Sequence, residues 1–143
     1  MDKPLLLKSS RTLNIQYNLP ISRTSKFWDG LREGKVYATK CKKCRKLYFP
    51  PVVDCGNCSS SDVEWIVLDG DGRIVTFTQI FVKPNSFSKE PAYIVAIARL
   101  KEGIKALAWL TGVERNDVKV GMRVKLVARV TSDGKPVYKF VSV

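Results

Sequence analysis

The chain has 143 residues, 45% of them hydrophobic, so it can bury one core or two small ones and is not expected to be disordered. Lysine and arginine number 25 against 13 acidic residues, a formal net charge of +12 that favours polyanionic partners such as nucleic acid, anionic lipid or a phosphorylated cofactor. Histidine is absent, which removes Ser-His and Cys-His nucleophilic catalysis and every His-metal site.

No apolar run approaches the ~20 residues of a membrane span. Leu5-Leu6-Leu7 is too short for a signal h-region and has no small-residue cleavage site after it. A cytoplasmic protein is expected.

Residues 1 to about 22 are weakly patterned. From Leu13 to Leu19 apolar and polar residues alternate, which suits an extended arm. Such an arm either packs on its own domain or reaches a partner. Ser22 to Gly34 reads as a helix: Thr24 or Ser25 can cap its start, Phe27, Trp28 and Leu31 fall at helical spacing, and Gly34 can end it. Phe27 and Trp28 either pack inward or offer an apolar surface to a partner.

Val36 to Ala38 should lead into the first of two cysteine pairs. Cys41 and Cys44 form one Cys-x-x-Cys turn, and Cys55 and Cys58 form the other, ten residues on. The chain has no further cysteine. Each turn places two thiolates at a tight bend, and two facing turns supply four corners of a tetrahedron. Zinc is the expected ion, with iron the alternative that the spacing leaves open. Disulfides are disfavoured in a chain expected to stay in a reducing compartment. Four protein ligands close the site, so its role should be structural. Lys46-Leu47-Tyr48-Phe49 returns from the first turn, Pro50-Pro51 stiffens the link to the second, and the ribbon should end near residue 62.

Beyond residue 62 the chain turns to strands. Val63 to Leu68 is the first, closed by the turn Asp69-Gly70-Asp71-Gly72. Arg73 to Lys83 is the second, with Val75, Phe77 and Gln79 expected on one face and Ile74, Thr76, Thr78 and Ile80 on the other. Ala92 to Leu100, Ile104 to Thr111, Arg123 to Thr131 and Pro136 to Val143 follow. Five or six antiparallel strands in ~80 residues point to a small closed barrel of the OB type. The expected chain is therefore mainly β: an N-terminal arm and helix over 1–35, a rubredoxin-like zinc ribbon over 36–62 and an OB-fold domain over 63–143.

A set of short motifs in this order resembles one family. They are Phe27-Trp28-Asp29-Gly30-Leu31-Arg32-Glu33-Gly34, the two cysteine pairs, Tyr48-Phe49-Pro50-Pro51, Glu64-Trp65, Leu68-Asp69-Gly70-Asp71-Gly72, Val75-Thr76-Phe77-Thr78, Pro91-Ala92-Tyr93-Ile94-Val95 and Val120-Gly121-Met122. The chain is similar over residues 15–143 to the zinc-ribbon/OB-fold acyl-CoA-associated proteins. It departs from them at Arg45, where the family often has glycine. The resemblance implies a non-catalytic scaffold that joins an acetoacetyl-CoA thiolase to hydroxymethylglutaryl-CoA synthase in the mevalonate route, and that itself contacts CoA or acyl-CoA.

For CoA, the expected wall is Phe49, Phe77, Phe87 and Tyr93, with Lys83 and Lys89 toward the phosphates. Phe27 and Trp28 are the expected partner contacts. Two other classes compete. A single-stranded nucleic-acid binder would stack bases on barrel aromatics in a basic groove, but along the sequence the cations run from Lys3 to Lys139. An acyl-CoA enzyme would have to rely on a carboxylate, with no histidine to help.

Overall fold

A computed structural model describes residues 15–143; the Leu5-Leu6-Leu7 run and Leu13 lie outside them. Ile15, Tyr17 and Leu19 are exposed and belong to no helix or strand. A 3-10 turn, Ser22–Thr24, runs into helix α1, Ser25–Arg32. The expected cap is not made: the Thr24 hydroxyl instead donates back to the Ile21 carbonyl at 3.3 Å. The far end follows expectation. Gly34 takes φ 80°, its N–H donates to the Leu31 carbonyl, and the Lys35 N–H donates to the Gly30 carbonyl. These two bonds make a Schellman stop and satisfy carbonyls that the helix leaves open.

The ribbon is a three-stranded antiparallel sheet in the order β2-β1-β3: β1 is Tyr37–Cys41, β2 Leu47–Tyr48 and β3 Val63–Val67. The sequence assigned β3 to the barrel. It pairs instead with β1 along its whole length, from Tyr37 opposite Val67 to Cys41 opposite Val63. Hydrogen bonding thus carries the ribbon to Val67, beyond the expected end near residue 62. A short, mostly apolar strand fits either sheet; the partner is what decides.

The barrel starts at β4, Asp71–Ile80, and continues through β5 (Tyr93–Leu100), β6 (Lys105–Thr111), β7 (Arg123–Val130) and β8 (Pro136–Ser142). Its closed order is β4-β5-β6-β8-β7. All pairs are antiparallel except β6 with β8, which run parallel and meet only at Leu110 with Phe140 and Thr111 with Val141. A β-bulge between Ile74 and Thr76 overturns the expected alternation of β4. Past the bulge, Phe77 lies opposite the buried Ala96, so it shares the inward side with Ile74. One extra residue turns every later side chain over.

The chain crosses from ribbon to barrel at Gly70. A Cβ there would sit 2.3 Å from the Leu126 carbonyl oxygen, so only glycine lets this segment bond β7, through the Leu126 N–H at 2.8 Å. One apolar core spans both parts. It runs from Phe27, Leu31, Val36 and Ala38 through Ile74, Ala96, Leu100 and Val124 to Phe140. Helix α1 packs on β1 of the ribbon and on β7 and β8 of the barrel. β6 and β8 share only two residue pairs, the shortest seam of the closed barrel. Phe27, Phe49 and Tyr138 of β8 pack edge to face, with ring centroids 5.2–6.2 Å apart.

Candidate metal centre and barrel surface

The two cysteine turns are built alike. In the first, the Cys41 N–H donates to the Lys46 carbonyl and the Arg45 N–H to the Cys41 carbonyl. In the second, Cys55 N–H donates to Ser60 and Ser59 N–H to Cys55. The residue after each second cysteine turns left-handed, Arg45 at φ 64° and Ser59 at φ 56°. That explains the glycine expected at position 45. Arg45 takes the same backbone at a cost of about 1–2 kcal/mol, and its guanidinium pairs with Glu64 at 3.3 Å.

All four sulfurs lie within 4.8 Å of one another. Cys41 is 3.6 Å from Cys58, and Cys44 is 3.5 Å from Cys55. These separations are far beyond a disulfide bond. Four Zn–S bonds of 2.3 Å at tetrahedral angles put sulfurs about 3.8 Å apart, so the cluster fits a single zinc ion. Cys41 and Cys55 are buried and the other two half-buried.

Tyr48 is a residue that the sequence did not single out for this site. Its hydroxyl stands 3.2 Å from Cys55 Sγ. That contact lowers the Cys55 thiol to about 6 and raises the Tyr48 phenol to about 12; toward a cysteine that binds metal as a thiolate, the phenol can only donate. It is the outer partner that a metal ligand usually has. Thr39, buried, exchanges two 2.9 Å bonds with Val52 and ties the link between the turns to β1. Arg23 clasps Asp54 through two bonds of 3.1–3.2 Å, fixing the start of the helix to the same link.

The expected partner residues separate. Phe27 is 4% exposed and belongs to the core, so it is not available as a surface contact. Trp28 is half-buried and lines a shallow cleft with Thr24, Pro50, Pro51 and Tyr138. The expected CoA residues separate as well. Phe49 packs edge to face on Phe27 and Tyr138, and Phe77 faces inward. Phe87 and Tyr93 come together, with ring centroids 6.2 Å apart. Lys83 and Lys89 lie in the same β4–β5 connection as Phe87, and the Lys83 ammonium is held by the Glu90 carbonyl.

Trp109 on β6, which sequence reasoning passed over, completes the group. Its ring stacks on Tyr93 at 4.2 Å and 16°. Beside it lies a cleft of about 560 Å³ lined by Glu90, Trp109, Thr131, Lys135, Tyr138 and Lys139 among others. In OB barrels this face, with the loops that flank it, is where ligands sit.

Two family profiles cover most of the chain: the ChsH2 rubredoxin-like zinc ribbon domain at residues 28–64, and the ChsH2 C-terminal OB-fold domain at 65–129. A DUF35 domain-containing scaffold protein of Methanocaldococcus jannaschii is 30% identical over 125 residues, 85% of this chain and 89% of that one. This chain belongs to the DUF35 family. Zinc is therefore its metal, and the clustered Cys41, Cys44, Cys55 and Cys58 are the residues placed to hold it. Another relative, the benzoylsuccinyl-CoA thiolase subunit BbsA of Geobacter metallireducens, is 30% identical over 71% of this chain and 70% of its own. The family thus includes both scaffold proteins and a subunit of an acyl-CoA enzyme. Among solved structures, the Ltp2-ChsH2(DUF35) aldolase matches with a TM-score of 0.71 at 22% identity, over 82% of this chain and 92% of that one, which shows the shared fold. Among the described residues no helix is long and apolar enough to cross a membrane.

Proposed function

We infer that the chain is a non-catalytic scaffold for acyl-CoA enzymes. It binds a thiolase, and through the same assembly hydroxymethylglutaryl-CoA synthase, so that an acyl-CoA intermediate passes between them. The observation that carries this reading is the extent of the likeness: ribbon and barrel together match relatives named as scaffold protein and thiolase subunit. The chemistry of the chain supports it. Histidine is absent, and all four thiols are gathered in the metal site. Trp28 is the partner contact, a half-buried tryptophan beside an open cleft, of the kind that dominates interface energies.

CoA contact falls to Phe87, Tyr93 and Trp109, with Lys83 and Lys89 nearby. Phe49 and Phe77 serve packing instead.

Co-expression with thiolase and synthase, followed by gel filtration at micromolar concentration, tests the scaffold reading. The expected result is one co-eluting complex that Trp28→Ala weakens while zinc content stays the same. Separate elution of the wild-type chain would end this reading. Loss of zinc in Trp28→Ala would instead make Trp28 a packing residue. Calorimetric titration with CoA at low and high salt should show weak, salt-sensitive binding. Tight binding of a single-stranded oligonucleotide in its place would favour the nucleic-acid alternative.

A further inference from the structure

Folding gathers cations that lie far apart in the sequence. Arg73 on β4 stands directly opposite Arg99 on β5, and on its other side opposite Arg123 on β7. Arg99 in turn stands opposite Lys105 on β6. Lys105, Arg99, Arg73 and Arg123 therefore make an unbroken row across four neighbouring strands. All four are exposed, on the outer face. At about 4.8 Å per strand the row is about 14 Å long.

Like charges set directly opposite one another destabilise a sheet, and this row has no internal remedy. Among the described residues none of the four forms an ion pair; only Arg73 has a fixed partner, the Gly121 carbonyl at 3.0 Å. The acids close by are already engaged, Asp69 with Lys101 and Asp71 with Lys125. The row borders a cleft of about 460 Å³.

We propose that this row docks the acidic surface of a partner protein. Three features select a protein over a nucleic acid strand. A single strand needs aromatic rings within a nucleotide's reach, and no aromatic side chain lines this cleft. The aromatic ring of β6, Trp109, is four residues beyond Lys105, about 13 Å along the strand. Between them the outer face carries Ile97 on β5 and Leu107, 58% exposed, on β6; the rings nearest Lys105, Phe49 and Tyr138, are half-buried and packed edge to face on each other, so neither offers a free face to a base. An apolar centre with an arginine-rich border is the composition of a protein interface. Carboxylates on the partner would meet guanidinium forks that lack a counter-ion, so docking removes a repulsion that the free chain carries. The proposal depends on the scaffold reading only for the identity of the docking protein.

Arg99→Glu tests it, because this change sets one acid between Arg73 and Lys105. Arg129→Glu is the control: it makes the same change in net charge six residues along β7 from Arg123, about 20 Å away. The full zinc-loaded chain is titrated with poly-L-glutamate, with a dT20 oligonucleotide and with CoA at pH 7. Arg99→Glu and Arg123→Glu should each weaken poly-L-glutamate binding about tenfold relative to Arg129→Glu. Arg99→Glu should also raise the Tm of the free chain by about 2 °C, since two repulsive pairs become attractive.

Equal weakening by Arg99→Glu and Arg129→Glu would overturn the proposal. So would binding of dT20 or CoA that is tighter than poly-L-glutamate and is lost in Arg99→Glu, which would make the row a phosphate site. If the thiolase complex forms but is insensitive to Arg99→Glu, the scaffold reading stands and this one falls. If no complex forms while poly-L-glutamate still selects the row, the reverse holds.

Discussion

Ribbon and barrel are both antiparallel sheets, but they are held by different forces. Between Val36 and Val67 the ribbon fully buries few side chains, among them Val36, Ala38 and two of its own metal ligands. The barrel buries a layer of aliphatic residues from Ile74 to Ala128 and closes it with Phe140 at 0% exposure. The barrel is stabilised by apolar area removed from water. The ribbon has too little such area, and bonds to an ion take its place. The shared core at Phe27, Phe49 and Tyr138 couples the two, so that each part steadies the other at that junction.

The largest effect should come from the ion. Chelation, or Cys41→Ser, removes on the order of 10 kcal/mol of local folding free energy. The ribbon amides should then exchange rapidly with deuterium while the central barrel amides stay protected. A barrel that unfolds together with the ribbon would mean that the ion holds both parts. Next comes Phe140→Ala, which should lower stability by about 3–5 kcal/mol in denaturant melts and leave bound zinc at one ion per chain below the transition. Tyr48→Phe is subtler. The fold should survive, while competition with a chromogenic chelator shows zinc affinity reduced by about 10-fold or more, since the Cys55 thiolate loses its outer donor. Unchanged affinity would mean that the phenol only fills space. The smallest change is Ser59→Gly. Relief of the left-handed backbone, less the flexibility that glycine adds, should stabilise the ribbon by about 0.5–1 kcal/mol. It should register as slower zinc loss with no change in barrel stability.

Legibility from sequence followed how local each signal was. The cysteine spacing is local, and the gathering of four thiols in two matched turns was readable from it. The helix stop at Gly34 is local too, as are the turns that separate the barrel strands. What failed was non-local. Val63–Val67 is a short apolar strand that reads the same whether it pairs with β1 or with a barrel strand, and only the tertiary partner distinguishes them. The bulge at Val75 leaves no mark in composition, yet it reverses the facing of Phe77. Trp109 lies in a strand of alternating character and reads as packing until its register brings it to Tyr93. The cation row could not be seen along the chain, because residues 73, 99, 105 and 123 become neighbours only through strand pairing.

The aromatic cluster of Phe27, Phe49 and Tyr138 also bears on the order of assembly. Phe27 and Phe49 belong to the first 50 residues, and Tyr138 and the strand that carries it come almost last. During synthesis the two cysteine turns can close on zinc once residue 58 is clear of the ribosome. Helix α1, however, has no β7 or β8 to pack on until about 80 more residues have followed, several seconds at ordinary elongation rates. Until then the side of α1 that faces β7 and β8 stays uncovered, although its other side already rests on β1. A nascent chain stalled before residue 123 should hold its metal and still be recognised by chaperones that bind exposed apolar segments, and release of the last two strands should end that recognition.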